Sequence, residues 1–105
     1  MKQWYKTRKK DPFYIKAKKN DIISRAYYKL EEIDKKHNLF KNDKKILDVG
    51  CSPGGWTQYI LNKHPKNKIV GIDILPTVKQ IEGKFKFYMM DLNQYQLIEE
   101  LFTSN

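Results

Sequence analysis

The sequence predicts an α/β fold built on a parallel sheet, and three observations predict it. Short apolar runs at 45–50, 68–74 and 85–90 alternate with stretches of helical spacing at 55–63, 76–82 and 94–102. That β-α-β-α-β-α order calls for parallel strands joined by helical crossovers. A glycine-rich turn, Asp48-Val49-Gly50-Cys51-Ser52-Pro53-Gly54-Gly55-Trp56, joins the first strand to its helix. Acids then close the second and third strands at Asp73 and Asp91.

Taken in order, residues 1–19 are basic with interleaved aromatics. Trp4, Tyr5, Phe13 and Tyr14 stand among Lys2, Lys6, Arg8, Lys9, Lys10, Lys16, Lys18 and Lys19. Cations neutralise phosphates while aromatic rings stack on bases. The plainer reading is an arm whose rings pack on the domain. Residues 21–37 have helical spacing, with Ile22, Ile23, Ala26, Tyr27, Leu30 and Ile33 on one face. Asn20 or Asp21 would cap the start. Lys35, Lys36 and His37 suit the negative end of the dipole, and Asn38 suits a left-handed exit. Lys29 lies at the border of the apolar face, one turn after Arg25, where a lysine is ordinarily a snorkelling surface residue.

The helix at 55–63 places Trp56, Tyr59 and Ile60 on one side, and residues 64–67 form a turn. The segment 76–82 reads as one short helix. The last helix runs through Leu97, Ile98, Leu101 and Phe102. His37 reads as a helix-end residue and His64 as a loop residue, neither with metal-ligand company.

Composition narrows the partners. The chain has 105 residues, enough for one small domain, and a net charge of +9. Residues 1–45 hold 15 Lys+Arg against 6 Asp+Glu, whereas residues 46–105 hold 6 of each. All the excess positive charge therefore lies in the N-terminal part. This favours a polyanion, and nucleic acid before a membrane, because no amphipathic anchor helix accompanies the charge. No apolar run is long enough to span a bilayer, and no signal-peptide pattern is visible. The lone Cys51 excludes an internal disulfide and fits a reducing compartment, so a cytoplasmic location is expected.

The glycine turn carries the chemistry. Gly50 lets the chain turn where a Cβ would clash, and Pro53 suits the start of a helix. Gly54 and Gly55 let backbone approach a ligand, with free N–H groups of the helix behind them. In open parallel sheets ligands bind outside the carboxyl ends of the strands. Asp73 follows Gly50 by 23 residues, a separation that suits a carboxylate gripping ribose hydroxyls. Asp91 would accept from the base. A single strand-end Asp is usually a cap or turn residue, but Asp48, Asp73 and Asp91 come at consecutive strands beside one glycine turn. The dinucleotide fingerprint would require glycine at position 52, where Ser52 stands, and no phosphate-binding G-x-x-x-x-G-K-[ST] loop is present. A cofactor without a pyrophosphate fits better, and S-adenosylmethionine meets that description.

Three segments together resemble a known family. They are Ser24-Arg25-Ala26-Tyr27-Tyr28-Lys29-Leu30-Glu31-Glu32-Ile33, Leu47-Asp48-Val49-Gly50-Cys51-Ser52-Pro53-Gly54-Gly55-Trp56-Thr57-Gln58, and Gly71-Ile72-Asp73-Ile74-Leu75-Pro76. They look like the FtsJ/RrmJ family of RNA ribose 2′-O-methyltransferases, over about residues 11–91. The resemblance implies a Rossmann-like, S-adenosylmethionine-dependent methyltransferase fold, here with its first three parallel strands, an N-terminal helix and the basic arm. Gly54 and Trp56 would line the cofactor site, with Asp48, Gly50, Ser52, Pro53 and Gly55 around them. Asp73 would bind the ribose and Asp91 the adenine side. Lys29 would be the first member of the family's Lys-Asp-Lys-Glu catalytic set.

Lys9, Lys10, Lys16, Lys18, Lys19 and Arg25 would grip RNA, expected to be ribosomal RNA or a ribosomal subunit, in a monomeric protein. Residues 1–19 would then be an RNA-binding arm and 20–105 the N-terminal half of one methyltransferase domain. The fourth strand, its catalytic Asp, and the later Lys and Glu would lie beyond Asn105. The chain alone would not turn over, and β-strand one would keep a bare edge. A non-catalytic RNA-binding module is the alternative.

Overall fold

A computed structural model describes residues 21–76 and 80–104. The described elements are helix α1 (Ala26–His37), strand β1 (Lys45–Val49), helix α2 (Gly55–Lys63), strands β2 (Lys68–Asp73) and β3 (Phe85–Met89), a 3₁₀ turn (Leu92–Gln94) and helix α3 (Tyr95–Ser104). The three strands form one sheet in the order β1-β2-β3, and both pairings are parallel. The predicted parallel α/β architecture is what the chain adopts.

Register explains the core. Ile46, Ile69 and Phe85 are cross-strand partners and form one row across the sheet. That row meets Tyr27, Tyr28 and Leu30 of α1 and Tyr59, Ile60 and Leu61 of α2 in a single apolar cluster. Tyr27 packs edge-on against both Tyr28 and Tyr59, with ring centroids 5.3 and 5.2 Å apart. Burying these side chains is what fixes two helices on one face of the sheet, each contributing roughly 1.5–3 kcal/mol. Val70 and Ile72 point to the opposite face, where they too are buried. The Lys45 ammonium donates to the Phe102 carbonyl and lies 5.0 Å from the centre of the Phe102 ring. It ties the start of β1 to the carbonyl-rich end of α3.

Several expectations change at the element ends. The first helix begins at Ala26, not at residue 21, and its N-cap is Arg25 without a side-chain cap bond. Asp21 has a φ of 57°, and the Ile23 N–H donates to Gln58 Oε1, so this backbone bonds across to α2 instead of continuing the helix. Ile33 is 44% exposed and leaves the apolar face that periodicity gave it. Asn38 does take the left-handed exit, at φ 55° and ψ 55°, with its N–H on the Asp34 carbonyl.

Trp56 is 49% exposed and does not join Tyr59 and Ile60 in the core. Of the short helix expected at 76–82, residues 77–79 lie outside the described residues, and 76 and 80–82 are not helical. The last helix is preceded by a 3₁₀ turn capped by Asp91, whose Oδ1 accepts from the Asn93 N–H at 2.9 Å. Gln94 Oε1 returns the bond to the Asp91 N–H, completing a capping box. The outer edge of β1 carries no strand among the described residues, and Val49 there is 45% exposed.

Candidate functional site

The glycine turn leaves β1 through Gly50 at φ +70°. The N–H groups of Gly50 and Cys51 both donate to the Ile72 carbonyl, at 2.7 and 3.2 Å, and so hold the turn against β2. A Cβ on Gly50 would meet no atom within 4 Å, so the glycine is required by its left-handed backbone and not by the predicted clash. Gly54 and Gly55 have a packing role as well. A Cβ on Gly54 would come 2.6 Å from Ile81 Cδ1, and one on Gly55 would come 2.2 Å from Ser24 Oγ. These glycines let the first turn of α2 pack against Ile81 and the start of α1. Pro53 follows a cis peptide bond and precedes the N-cap Gly54, outside the first helical turn.

Asp73 stands at the end of β2 and clips the turn in place. Its Oδ2 accepts from the Ser52 N–H at 2.9 Å, and its Oδ1 accepts from the Leu75 N–H at 3.0 Å. The Leu75 bond, followed by the one from Ser52, holds the carboxyl below its ordinary value despite slight desolvation. Asp73 therefore stays ionised and keeps unused lone pairs on both oxygens. The Ser52 hydroxyl donates to the carbonyls of Leu75 and Pro76, at 2.7 and 2.8 Å. Both polar groups of Ser52 thus bind the 73–76 segment.

Two adjoining clefts open on either side of Val49 and Gly50. The first, about 300 Å³, is lined among others by Ser24, Asp48, Ser52, Pro53, Gly55 and Trp56. The second, about 370 Å³, lies across the carboxyl ends of the strands and is lined among others by Ile72, Asp73, Ile74, Asp91 and Leu92. Gly50 borders both clefts, with Asp48 and Trp56 on the first and Asp73 and Asp91 on the second. Asp48 is buried and accepts from Thr57 Oγ1 at 2.7 Å. Desolvation raises its carboxyl above the ordinary value, and the nearby Asp73 charge adds to this against the Thr57 bond. Burial, together with the Asp48 and Asp73 charges, pushes the Cys51 thiol up to about 12, so it is an inert packing group.

Lys29 is exposed on α1, one turn beyond Ala26, which lines the first cleft. Arg25 caps the same helix, half-buried. Lys9, Lys10, Lys16, Lys18 and Lys19 lie outside the described residues.

Two features escaped the sequence reading. Ser24 is 6% exposed, its hydroxyl has no hydrogen-bond partner among the described residues, and it belongs to the first cleft. Its place beside Gly55 is a tertiary fact that no periodicity reveals. Asp34 is buried and accepts from Tyr59 Oη (2.5 Å) and the Leu39 N–H (3.0 Å), with His64 Nε2 at 2.7 Å. His64 is therefore part of a buried network and not a plain loop residue. The one legible signal for this network was an acid placed between apolar positions of an amphipathic helix.

A parallel sheet with a glycine turn off its first strand, and carboxylates near a crevice at the strand ends, defines an α/β domain of Rossmann-like type. The FtsJ-like methyltransferase family matches residues 22–104, and the chain belongs to that family. It is 46% identical over 87 residues to a ribosomal RNA large subunit methyltransferase E of Novosphingobium aromaticivorans, covering 83% of this chain and 39% of the relative. The protein of the same description from Coxiella burnetii is 37% identical over 101 residues, covering 95% of this chain and 47% of the relative. In three dimensions the chain is similar to a Plasmodium falciparum protein described as a ribosomal RNA methyltransferase. That match has a TM-score of 0.53 and 39% identity, over 74% of this chain and 48% of that one. The chain thus spans less than half the length of the relatives it matches.

Proposed function

We propose that this chain is the cofactor-binding half of an S-adenosylmethionine-dependent RNA ribose 2′-O-methyltransferase acting on ribosomal RNA. The observation that carries the cofactor assignment is geometric: Asp48 lines the cleft on one side of Gly50, Asp73 and Asp91 line the cleft on the other, and the space over Gly50 joins them. Asp48 and Asp73 repel one another across the Gly50 turn, and Asp48 is costly to ionise where it sits. A ligand bearing net positive charge relieves both effects, whereas a pyrophosphate would worsen them. The empty space over Gly50 leaves room for a ligand to pass from one cleft to the other.

When bound, S-adenosylmethionine supplies an electrophilic methyl group on a sulfonium. The residues of this chain bind and orient. Asp73 accepts from ribose hydroxyls with the lone pairs its backbone bonds leave free. Asp91, engaged on one oxygen by its capping bond, accepts from the base side. Asp48 faces the cationic amino-acid end, and Trp56 walls the first cleft. Lys29 holds the RNA beside that cleft and favours the ionised form of the attacking 2′-hydroxyl through its charge. Arg25 and the basic arm contribute phosphate contacts that weaken with salt. The support for ribosomal RNA is what the relatives from Novosphingobium and Coxiella are described as.

The test is methyl transfer by the full-length enzyme to ribosomal RNA lacking the modification, with mapping of 2′-O-methyl groups. Label in ribose is expected, and label on a base would contradict the reading. Lys29→Ala should lower turnover by about 10²-fold or more while the fold persists. Full activity would return Lys29 to an ordinary surface role.

A further inference from the structure

The segment that leads into α1 is held by a side chain of α2. Gln58 Oε1 accepts from the Ile23 N–H at 2.9 Å, and Gln58 Nε2 donates to the Asp21 carbonyl at 3.3 Å. One primary amide thus serves a backbone donor and a backbone acceptor two residues apart, as a neighbouring strand would. Gln58 is itself held in the first turn of α2, where its N–H donates to the Gly54 carbonyl at 2.9 Å. The grip therefore reaches directly from the glycine turn to the segment that precedes α1.

What the grip positions is visible on both sides. Ile23 Cδ1 lies 3.6 Å, and Ser24 Oγ 2.2 Å, from where Cβ atoms on Gly54 and Gly55 would stand. Ser24 lines the first cleft, Arg25 caps α1, and Lys29 follows one turn later. The far end of α1 is fixed independently, by Asp34 to Tyr59 and His64. Lys29 is therefore carried on a helix held to α2 by Tyr27 and Asp34, and led into by the segment that Gln58 holds. Gln58 holds the lead-in to the end nearer the cleft.

We infer that Gln58 is a positioning residue of the transfer reaction: it fixes the start of α1 against the cofactor turn so that Lys29 addresses the RNA ribose. This rests on the reading of Lys29 given above. Misplacing a reacting group by about 1 Å costs on the order of 10²-fold in rate. An amide removed two turns away is enough to release that placement without touching the strand-end acids.

The experiment uses the full-length enzyme with Gln58→Ala, Lys29→Ala and the double variant. Gln58→Ala should bind S-adenosylmethionine within about twofold of the parent, because Asp73 and its clip are untouched. Its kcat for RNA should fall about ten- to a hundredfold. In the Lys29→Ala background the same substitution should cost little more, since both act through one group. Gln58→Glu keeps the acceptor for Ile23 and loses the donor to Asp21. Its rate relative to the parent should rise as the pH falls and the carboxyl regains a proton, while Gln58→Ala shows no such recovery.

Full turnover in Gln58→Ala overturns the inference. So does a multiplicative loss in the double variant, or a loss of cofactor affinity in step with kcat. If Gln58→Ala does not fold, Gln58→Glu and its pH profile decide by the same criteria. An active Lys29→Ala enzyme contradicts the assigned role of Lys29, and the inference with it. A Gln58 failure alone leaves Lys29→Ala impaired.

Discussion

The Ser52 N–H donates to Asp73 Oδ2 at 2.9 Å, which joins the glycine turn after β1 to the last residue of β2. The acid that the sequence assigns to ribose is thus also the clip that shapes the turn. Its second oxygen holds the Leu75 N–H, and the Ser52 hydroxyl reaches the carbonyls of Leu75 and Pro76. Three donors, the Ser52 N–H and O–H and the Leu75 N–H, gather the turn and the segment after β2, two of them on one carboxylate. A substitution at Asp73 therefore changes the loop geometry together with any proposed ligand contact.

Replacing Asp73 with Ala should consequently cost more than one ligand bond. Hydrogen bonds to a charged group contribute about 1.5–3 kcal/mol, so cofactor affinity should drop by at least roughly tenfold. Ser52→Ala keeps the backbone donor to Asp73 and should lose only a few-fold. Calorimetric titration of both variants checks the order. Equal affinities for the two variants would remove Asp73 from the site.

Gly50 and Gly55 should fail in different ways. Alanine at 55 must push against Ser24 Oγ and the Tyr27 N–H, at 2.2 and 3.3 Å, so it should destabilise the fold by about 1–3 kcal/mol. Alanine at 50 meets nothing but must hold a positive φ, which costs roughly 1–2 kcal/mol, and its methyl projects into open space between the clefts. Cofactor affinity should therefore suffer more at 50 and thermal stability more at 55. Melting curves paired with binding isotherms would show it, and the reverse ranking would contradict it.

Asp48 should display a trade between stability and binding. Its folded carboxyl is raised above the ordinary 3.8, so the native state holds that proton more tightly than the unfolded chain. Stability tied to Asp48 therefore falls as pH rises from 3.8 through the folded value, and at neutral pH the fold carries an ionisation cost. Asp48→Asn keeps an acceptor for Thr57 and escapes that cost. It should melt no lower than the parent at pH 7, yet bind S-adenosylmethionine more weakly. Unchanged affinity would take Asp48 out of the site.

Asp34 works with the opposite sign. Burial pushes its carboxyl up, but the bonds from Tyr59, His64 and the Leu39 N–H outweigh this and hold it below the ordinary 3.8. Its stabilisation is complete above 3.8 and is lost as pH falls through the folded value. Asp34→Asn should be destabilised by roughly 1–3 kcal/mol at neutral pH. That gap should narrow only below about pH 4. Urea midpoints taken from pH 3 to pH 7 would test this, and a gap independent of pH would contradict it.

Much of this was legible in the chain because it is local. The three strand segments, their parallel pairing and the glycine turn follow from apolar runs, element order and spacing, and the structure keeps them. What spacing cannot see is which polar groups bond across elements. The first helix starts late: Asp21 stands at φ 57°, outside helical backbone, and Gln58, 35 residues on from Ile23, ties the segment before Ala26 across to α2. Trp56 sits at a position that periodicity gives to the core, yet it faces the cleft. Gly54 and Gly55 look like a ligand cradle in sequence, and their missing Cβ atoms also make room for Ile81 and Ser24. His64 reads as a loop residue until Asp34 is folded against it.

The most direct test of the central claim is a calorimetric titration of the full-length protein with S-adenosylmethionine and, separately, with NAD. The acid-rimmed clefts around Gly50 predict saturable binding of S-adenosylmethionine, weakened by Asp73→Ala, and no binding of NAD. Binding of NAD, or S-adenosylmethionine binding indifferent to Asp73, would contradict the account.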